Sequence, residues 1–99
     1  MSHDEAQTNQ DVHPQDDGSY IIDGQAYVRE INKSLNWDLP TNGPKTLNGL
    51  IIETLESLPE SNVCLQLEHY RMETLQISDN TIKTVRVVAL SKKDWLETD

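Results

Sequence analysis

The chain has 99 residues, with 17 Asp and Glu against 8 Lys and Arg, for a formal net charge of −9. That length suits one domain and not two, and a surface this negative repels nucleic-acid phosphates and anionic lipid, which argues against direct binding to either. The chain has no Phe and one cysteine, Cys64; Leu, Ile and Val must fill the core, no apolar run approaches the ~20 residues of a membrane span, and a lone thiol closes no internal disulfide, which fits a reducing compartment.

Residues 1–17 read as a disordered acidic tail or linker. They hold Asp4, Glu5, Asp11, Asp16 and Asp17, no Lys or Arg, and only Val12 as a strongly apolar residue after Met1, too little to offset the entropy of ordering. The tail also lacks the apolar stretch of a signal peptide. The body is placed at 18–90. Its first run, "SYIIDGQAY", predicts strands near Ser19–Ile22 and Gln25–Tyr27 joined by Asp23-Gly24, a hairpin signal because Gly accepts positive φ.

Val28, Ile31 and Leu35 recur at three and four, which predicts a helix with Arg29, Glu30, Lys33 and Ser34 on its polar side. Asn36 is expected to stop it in the left-handed conformation, with Trp37 folding back on Ile31. A second helix is predicted from Leu47, Leu50, Ile51, Leu55 and Leu58, with Thr46 as N-cap and Pro59 as terminator. Gly49 inside that helix costs ~1 kcal/mol relative to Ala, so another backbone is expected close by.

Val63, Leu65 and Leu67 alternate with polar residues, predicting a half-buried strand that turns at Glu68-His69 into a partner at Tyr70–Ile77. Ser78 to Asn80 form the next turn, and Ile82–Leu90 the last strand. Residues 91–99 are a polar end in which only Trp95 and Leu96 could dock. The order strand, strand, helix, helix, strand, strand, strand predicts an α+β fold, with two helices on one face of an antiparallel sheet.

The stretch "LPTNGPKTLNG", Leu39 to Gly49, invites comparison with a phosphate-binding loop. That loop needs Lys directly after Gly and free backbone amides around the anion. Here Pro44 separates Gly43 from Lys45 and removes an amide, the earlier glycine is missing, and a helix precedes the stretch where a strand should. A calcium loop counted from Asp38 fails too, with Pro40 at the third ligand position and Gly49 where a bidentate Glu is required. The segment therefore reads as a joint between helices.

His3, His13 and His69 lack metal-ligand spacing, with His69 expected in solvent at a hairpin tip. Cys64 has no adjacent basic residue to activate it and reads as a small sheet residue. The paired carboxylates Asp16-Asp17 and Glu53 with Glu56 read as solvated. No catalytic, cofactor-binding or metal-ligating residue is assigned, and no cofactor is expected.

Taken together, "DGSYIIDG", "LNWDLPTNGPKTLNGLIIETLESLPE" and "YRMETLQISDNTIKTVRV" resemble, in order and spacing, the CorC/HlyC-type transporter-associated domain, over Asp17 to about Leu90. The resemblance implies a fold similar to the FAD-binding/transporter-associated domain-like fold, without flavin. It implies a cytoplasmic, non-catalytic module that follows transmembrane and CBS domains in a longer membrane protein, modulates ion transport of the magnesium and cobalt efflux type, and does not itself insert into the membrane. The family offers no established catalytic residues to carry over.

The chain departs from the pattern at three places. Asn36 replaces the usual glycine. Ala26 and Tyr27 stand where a Ser or Thr cap and a Pro are usual, which costs roughly 1 kcal/mol. Glu68-His69 replaces a glycine-containing turn, straining His69 if it holds positive φ. Two other function classes stay open: a structural homo-oligomerisation module, dimerising through a free sheet edge, and a small-molecule or cation sensor, suggested by the charge alone.

Overall fold

Two strands, two helices and three strands follow along the chain as β1 (Val12–Pro14), β2 (Tyr20–Asp23), α1 (Val28–Leu35), α2 (Leu47–Leu55), β3 (Cys64–Leu67), β4 (Tyr70–Ser78) and β5 (Thr81–Ala89) in the computed structural model, which describes residues 11–90. Expectations for His3, Trp95, Leu96 and the polar end lie outside the described residues. The strands form one antiparallel sheet in the order β1-β2-β5-β4-β3. Strand, strand, helix, helix and three strands is the order expected, and the α+β class with two helices holds.

The first two strands, however, are not those expected. Val12–Pro14 leaves the supposed tail and pairs with β2, Val12 opposite Ile22, so the sheet begins ahead of Gly18. Val12 is buried in the core; one apolar residue suffices because β2 supplies the ladder and the neighbours. The run Gln25–Tyr27 is not a strand. Asp23 accepts from the Gln25 amide through Oδ1 (2.8 Å), turning the chain directly into α1 instead of into a hairpin.

Alternation along the sheet selects the core face. Val12, Ile22, Val85 and Thr74 lie in register across four strands, all buried. The next row on the opposite face runs His13, Ile21, Arg86, Glu73 and Cys64, with His13, Arg86 and Cys64 exposed. Onto the apolar face α1 lays Val28 and Ile31 and α2 lays Leu47, Leu50 and Ile51. Complete burial of side chains such as Ile31 and Ile51 stabilises the fold by ~1.5–3 kcal/mol each.

Ser19 and Thr74 are the buried polar residues among those described, and Thr74 lies within the core face of the sheet. Its hydroxyl accepts from the Val63 amide (2.9 Å) and its own amide donates to the Val63 carbonyl (2.9 Å). Beside it, the β4–β5 register shifts between Thr74 and Gln76, a bulge that leaves Leu75 without a partner residue.

The helix ends follow local chemistry. Asn36 takes the left-handed conformation (φ 59°) that closes α1, as expected. Its neighbour Trp37 packs against the core cluster that includes Ile31, and its ring also meets Tyr20 (centroids 5.3 Å apart, edge-on) and Tyr70 (4.9 Å). Helix α2 stops at Leu55, earlier than expected, because Glu56 turns left-handed (φ 66°); Leu58, restricted by Pro59, packs on the core from outside the helix. In the β3–β4 turn it is Glu68 (φ 59°), not His69, that takes positive φ. His69 is half-buried against the Tyr70 ring (4.5 Å) instead of free in solvent. Asp79 and Asn80 both take positive φ, as a two-residue hairpin turn of the primed type requires.

Candidate functional site

Three segments that sequence order keeps apart meet at the head of the helices. Val28 N–H donates to the Lys45 carbonyl (2.8 Å), Leu47 N–H to Ala26 (2.9 Å) and Asn48 N–H to Gly24 (2.7 Å). Gly24 N–H in turn donates to Lys83 of β5 (2.8 Å), and the Asn48 side chain accepts from Ile82 N–H (2.8 Å). Gly24 is required here for space, because a Cβ at this position would lie 1.9 Å from the Ile82 carbonyl oxygen.

This junction settles what the Leu39–Gly49 stretch does. Thr46 caps α2, its hydroxyl accepting from Gly49 N–H (3.1 Å), and Leu50 N–H reaches the Thr46 carbonyl (2.9 Å). Leu47, Asn48, Gly49 and Leu50 thus have intramolecular acceptors, so the first turn of α2 keeps no amide for a phosphate. The helix N-terminus is a structural joint. The crowding around Gly49 comes from the Pro44 ring and the Thr46 hydroxyl, 2.9 and 3.3 Å from a would-be Cβ, not from another element's backbone.

The rest of the elbow is pinned from the α1 side. Asn32 accepts from Leu39 N–H (2.9 Å) and donates to its carbonyl (3.0 Å), and the Tyr70 hydroxyl accepts from Asp38 N–H (2.8 Å). On this fixed loop lie two hollows. One is a broad polar groove along Asp38–Asn42 that includes Glu68. Asp38 and Glu68 are its only carboxylates, and no group of three or more His, Cys, Asp or Glu able to hold a metal occurs among the described residues.

The other is a cleft of about 260 Å³ between the start of α1 and the elbow, lined by Tyr27, Val28 and Arg29 on one side and Thr41, Gly43, Pro44 and Lys45 on the other. Its volume lies below the ~300–1,000 Å³ of small-molecule sites, a size for one or two side chains. Tyr27 is the N-cap residue of α1 and makes no side-chain cap bond; its ring is 57% exposed. The expected weakness at Ala26 is thus displaced by one residue, with Ala26 buried and Tyr27 at the cap.

Of the residues weighed from sequence, His13 and Cys64 are exposed on the open sheet face and His69 packs on Tyr70; the structure brings none of them together. The cleft went unnoticed, although the missing cap at Ala26-Tyr27 marked its position. At the β1–β2 turn, Asp17 accepts from the Ser19 hydroxyl (2.6 Å) and amide (3.0 Å). Those two bonds, with a smaller contribution from Arg86, hold its carboxyl below the usual Asp range despite some desolvation.

The geometry defines a two-layer α+β domain whose glycine-rich elbow is structural and whose open hollows lie on the helical side. The transporter-associated domain model of the CorC/HlyC family matches residues 13–91, and the chain belongs to that family. It is 47% identical over 78 residues to the UPF0053 inner membrane protein YfjD of Escherichia coli, covering 79% of this chain and 18% of that protein. It is 42% identical over 82 residues to a UPF0053 protein of Haemophilus influenzae, covering 83% and 20%. The chain therefore spans about a fifth of the length of these curated relatives. A crystal structure of a functionally unknown conserved protein from Haemophilus influenzae superposes with a TM-score of 0.76 at 41% identity, covering 84% of this chain and all of that one. The transporter-associated domain of a Xylella fastidiosa hemolysin, solved with Mg²⁺ and Mn²⁺, shares the fold (TM-score 0.71, 22% identity, 82% and 99% covered). No helix among the described residues is long and apolar enough to cross a membrane.

Proposed function

We propose that this chain is a non-catalytic regulatory domain of a longer ion-transport membrane protein, that it works on the cytoplasmic side, and that it modulates divalent-cation efflux of the magnesium and cobalt type. The observation that carries the reading is the family match over nearly the whole described body, joined to relatives about four times as long as this chain, one of them named an inner membrane protein. A Neisseria meningitidis domain described as the associated region of a putative Mg²⁺ and Co²⁺ transporter has the same fold (TM-score 0.74) and supports the choice of ions. The chemistry at the start of α2 agrees, because the amides of Leu47, Asn48, Gly49 and Leu50 are spent on holding segments together.

The test is an in-frame deletion of residues 11–90 from the full-length protein in its own cells, with membrane insertion checked and cellular magnesium and cobalt followed after loading. Altered efflux with the protein still in the membrane is expected. Unchanged efflux of both ions from a correctly inserted deletion protein would remove the proposal.

A second reading is favoured by the sheet edge. Strand β3 is outermost, and Cys64 and Gln66 are exposed along it, so its outward backbone groups are free to pair with another copy. Light scattering across a concentration series decides, and a strict monomer at high concentration discards dimerisation through β3.

A further inference from the structure

Four features converge on the cleft at the start of α1. It is partly enclosed and its volume suits a side chain, not a cofactor. Tyr27, on its rim, is the one large hydrophobic residue exposed among the described residues. Arg29 and Lys45 line it from opposite sides, two of the six Lys and Arg among the described residues, and neither forms an ion pair among those residues. No Asp or Glu lines it, and the Glu53 carboxylate lies beside Gly43, one of its lining residues.

The surrounding charge decides which partner fits. A chain of net charge −9 repels an acidic partner over most of its surface, and attracts it only where cations outnumber carboxylates, as Arg29 and Lys45 outnumber Glu53 here. A basic partner has the reverse choice, finding better sites elsewhere and repulsion here. Tyr and Arg are the side chains that most often dominate protein interfaces, and they stand here two residues apart. The pinned elbow holds the opposite wall, so little ordering cost falls on binding.

We infer that this cleft is a docking surface for an acidic protein segment, in which an apolar side chain enters between Tyr27 and Pro44 and flanking carboxylates face Arg29 and Lys45. The inference rests on the reading of the chain as a regulatory interaction domain. It is tested by binding to the 99-residue chain alone, so its failure leaves the deletion experiment untouched.

The experiment is an amide-resolved NMR titration of the chain with a synthetic peptide, acetyl-Glu-Asp-Leu-Glu-Glu-amide. Parallel titrations use a version with every acid replaced by Lys, one with the central Leu replaced by Gly, sodium acetate, and vesicles containing phosphatidylserine. Saturable shifts centred on Tyr27, Arg29, Gly43 and Lys45 are expected with the acidic peptide, weakening as salt rises. The Arg29→Glu, Lys45→Glu double variant should weaken binding roughly tenfold or more, and Tyr27→Ala by roughly fivefold; all three side chains are exposed, so unchanged spectra elsewhere confirm that the variants fold.

Equal binding of the Lys peptide, or no loss in the double variant, would overturn the inference. Equal binding of acetate or of the Gly peptide would reduce the cleft to a small-anion site and overturn it as well. Shifts at these residues that grow with protein concentration alone would assign the surface to a second copy, and preference for the vesicles would assign it to lipid. Either result rejects the acidic segment.

Discussion

At the start of α2, four successive amides have intramolecular acceptors, supplied by Ala26, Gly24 and the hydroxyl and carbonyl of Thr46. At the start of α1, the N-cap is an exposed tyrosine whose side chain caps nothing. Both helices lay two or three buried residues on the same sheet, so the contrast is not one of core packing. It lies in how far each terminus is built into the junction: α2's has its four leading amides bonded and a side-chain cap, whereas α1's joins through Val28 N–H alone and has no side-chain cap beside its cleft. A terminus built into a junction cannot also bind an anion, and one left uncapped forgoes stability that a better cap would have supplied.

The largest effect is expected from the junction itself. Gly24→Ala places a methyl group 1.9 Å from the Ile82 carbonyl oxygen, where the nearest atoms are all backbone of Ile82 and Lys83 and no flexible side chain can yield. A loss of about 3 kcal/mol or more is expected in urea unfolding; a near-native midpoint would show that the junction is looser than described.

Asn48→Ala removes the acceptor for Ile82 N–H, an amide inside the sheet whose partner is a side chain 34 residues away. The cost should be ~1–3 kcal/mol, and hydrogen exchange at Ile82 should quicken more than exchange across the β3–β4 pair. Equal acceleration in both places would mean that the bond is not local in its effect.

The two caps provide the direct comparison. Thr46→Ala should destabilise by ~1 kcal/mol. Tyr27→Ser, which supplies a capping hydroxyl where none acts now, should be stabilising by ~0.5–1 kcal/mol while weakening acidic-peptide binding. Thermal melts of the two variants are therefore expected to shift in opposite directions, and shifts of the same sign would break the contrast drawn here.

The smallest effect concerns Asp17. Its folded carboxyl titrates below the ordinary Asp value because Ser19 bonds the charged form. Its contribution is thus fully present above about pH 3.9 and is lost as pH falls through the lower folded value. Asp17→Asn should flatten the acid limb of the stability curve slightly, and an unchanged limb would show the bonds to Ser19 to be energetically silent.

Much of this was legible from local patterns. The stripes of α1 and α2, the left-handed Asn36 and the Thr46 cap depend on residues within a few positions of one another, and local chemistry is enough to specify them. Pro44, the missing earlier glycine and the preceding helix together argued against a phosphate loop at the elbow. The β3–β4 and β4–β5 hairpins were readable for the same reason, since each joins neighbours through a two-residue turn.

What tertiary structure decided involves partners distant in sequence. "VHP" has too little periodicity to announce a strand, and becomes one only because β2 offers it a ladder. Trp37 is tied to its own helix through the Asn32 carbonyl, but its ring partners are Tyr20 and Tyr70, 17 and 33 positions away. Gly24 looked like a hairpin residue, and its actual constraint is a carbonyl 58 positions later. The cleft beside Tyr27 exists because Lys45 and Pro44 are folded against the start of α1. Local preference orders the elements, whereas steric fit and long-range hydrogen bonding choose which surfaces close and which stay open to a partner.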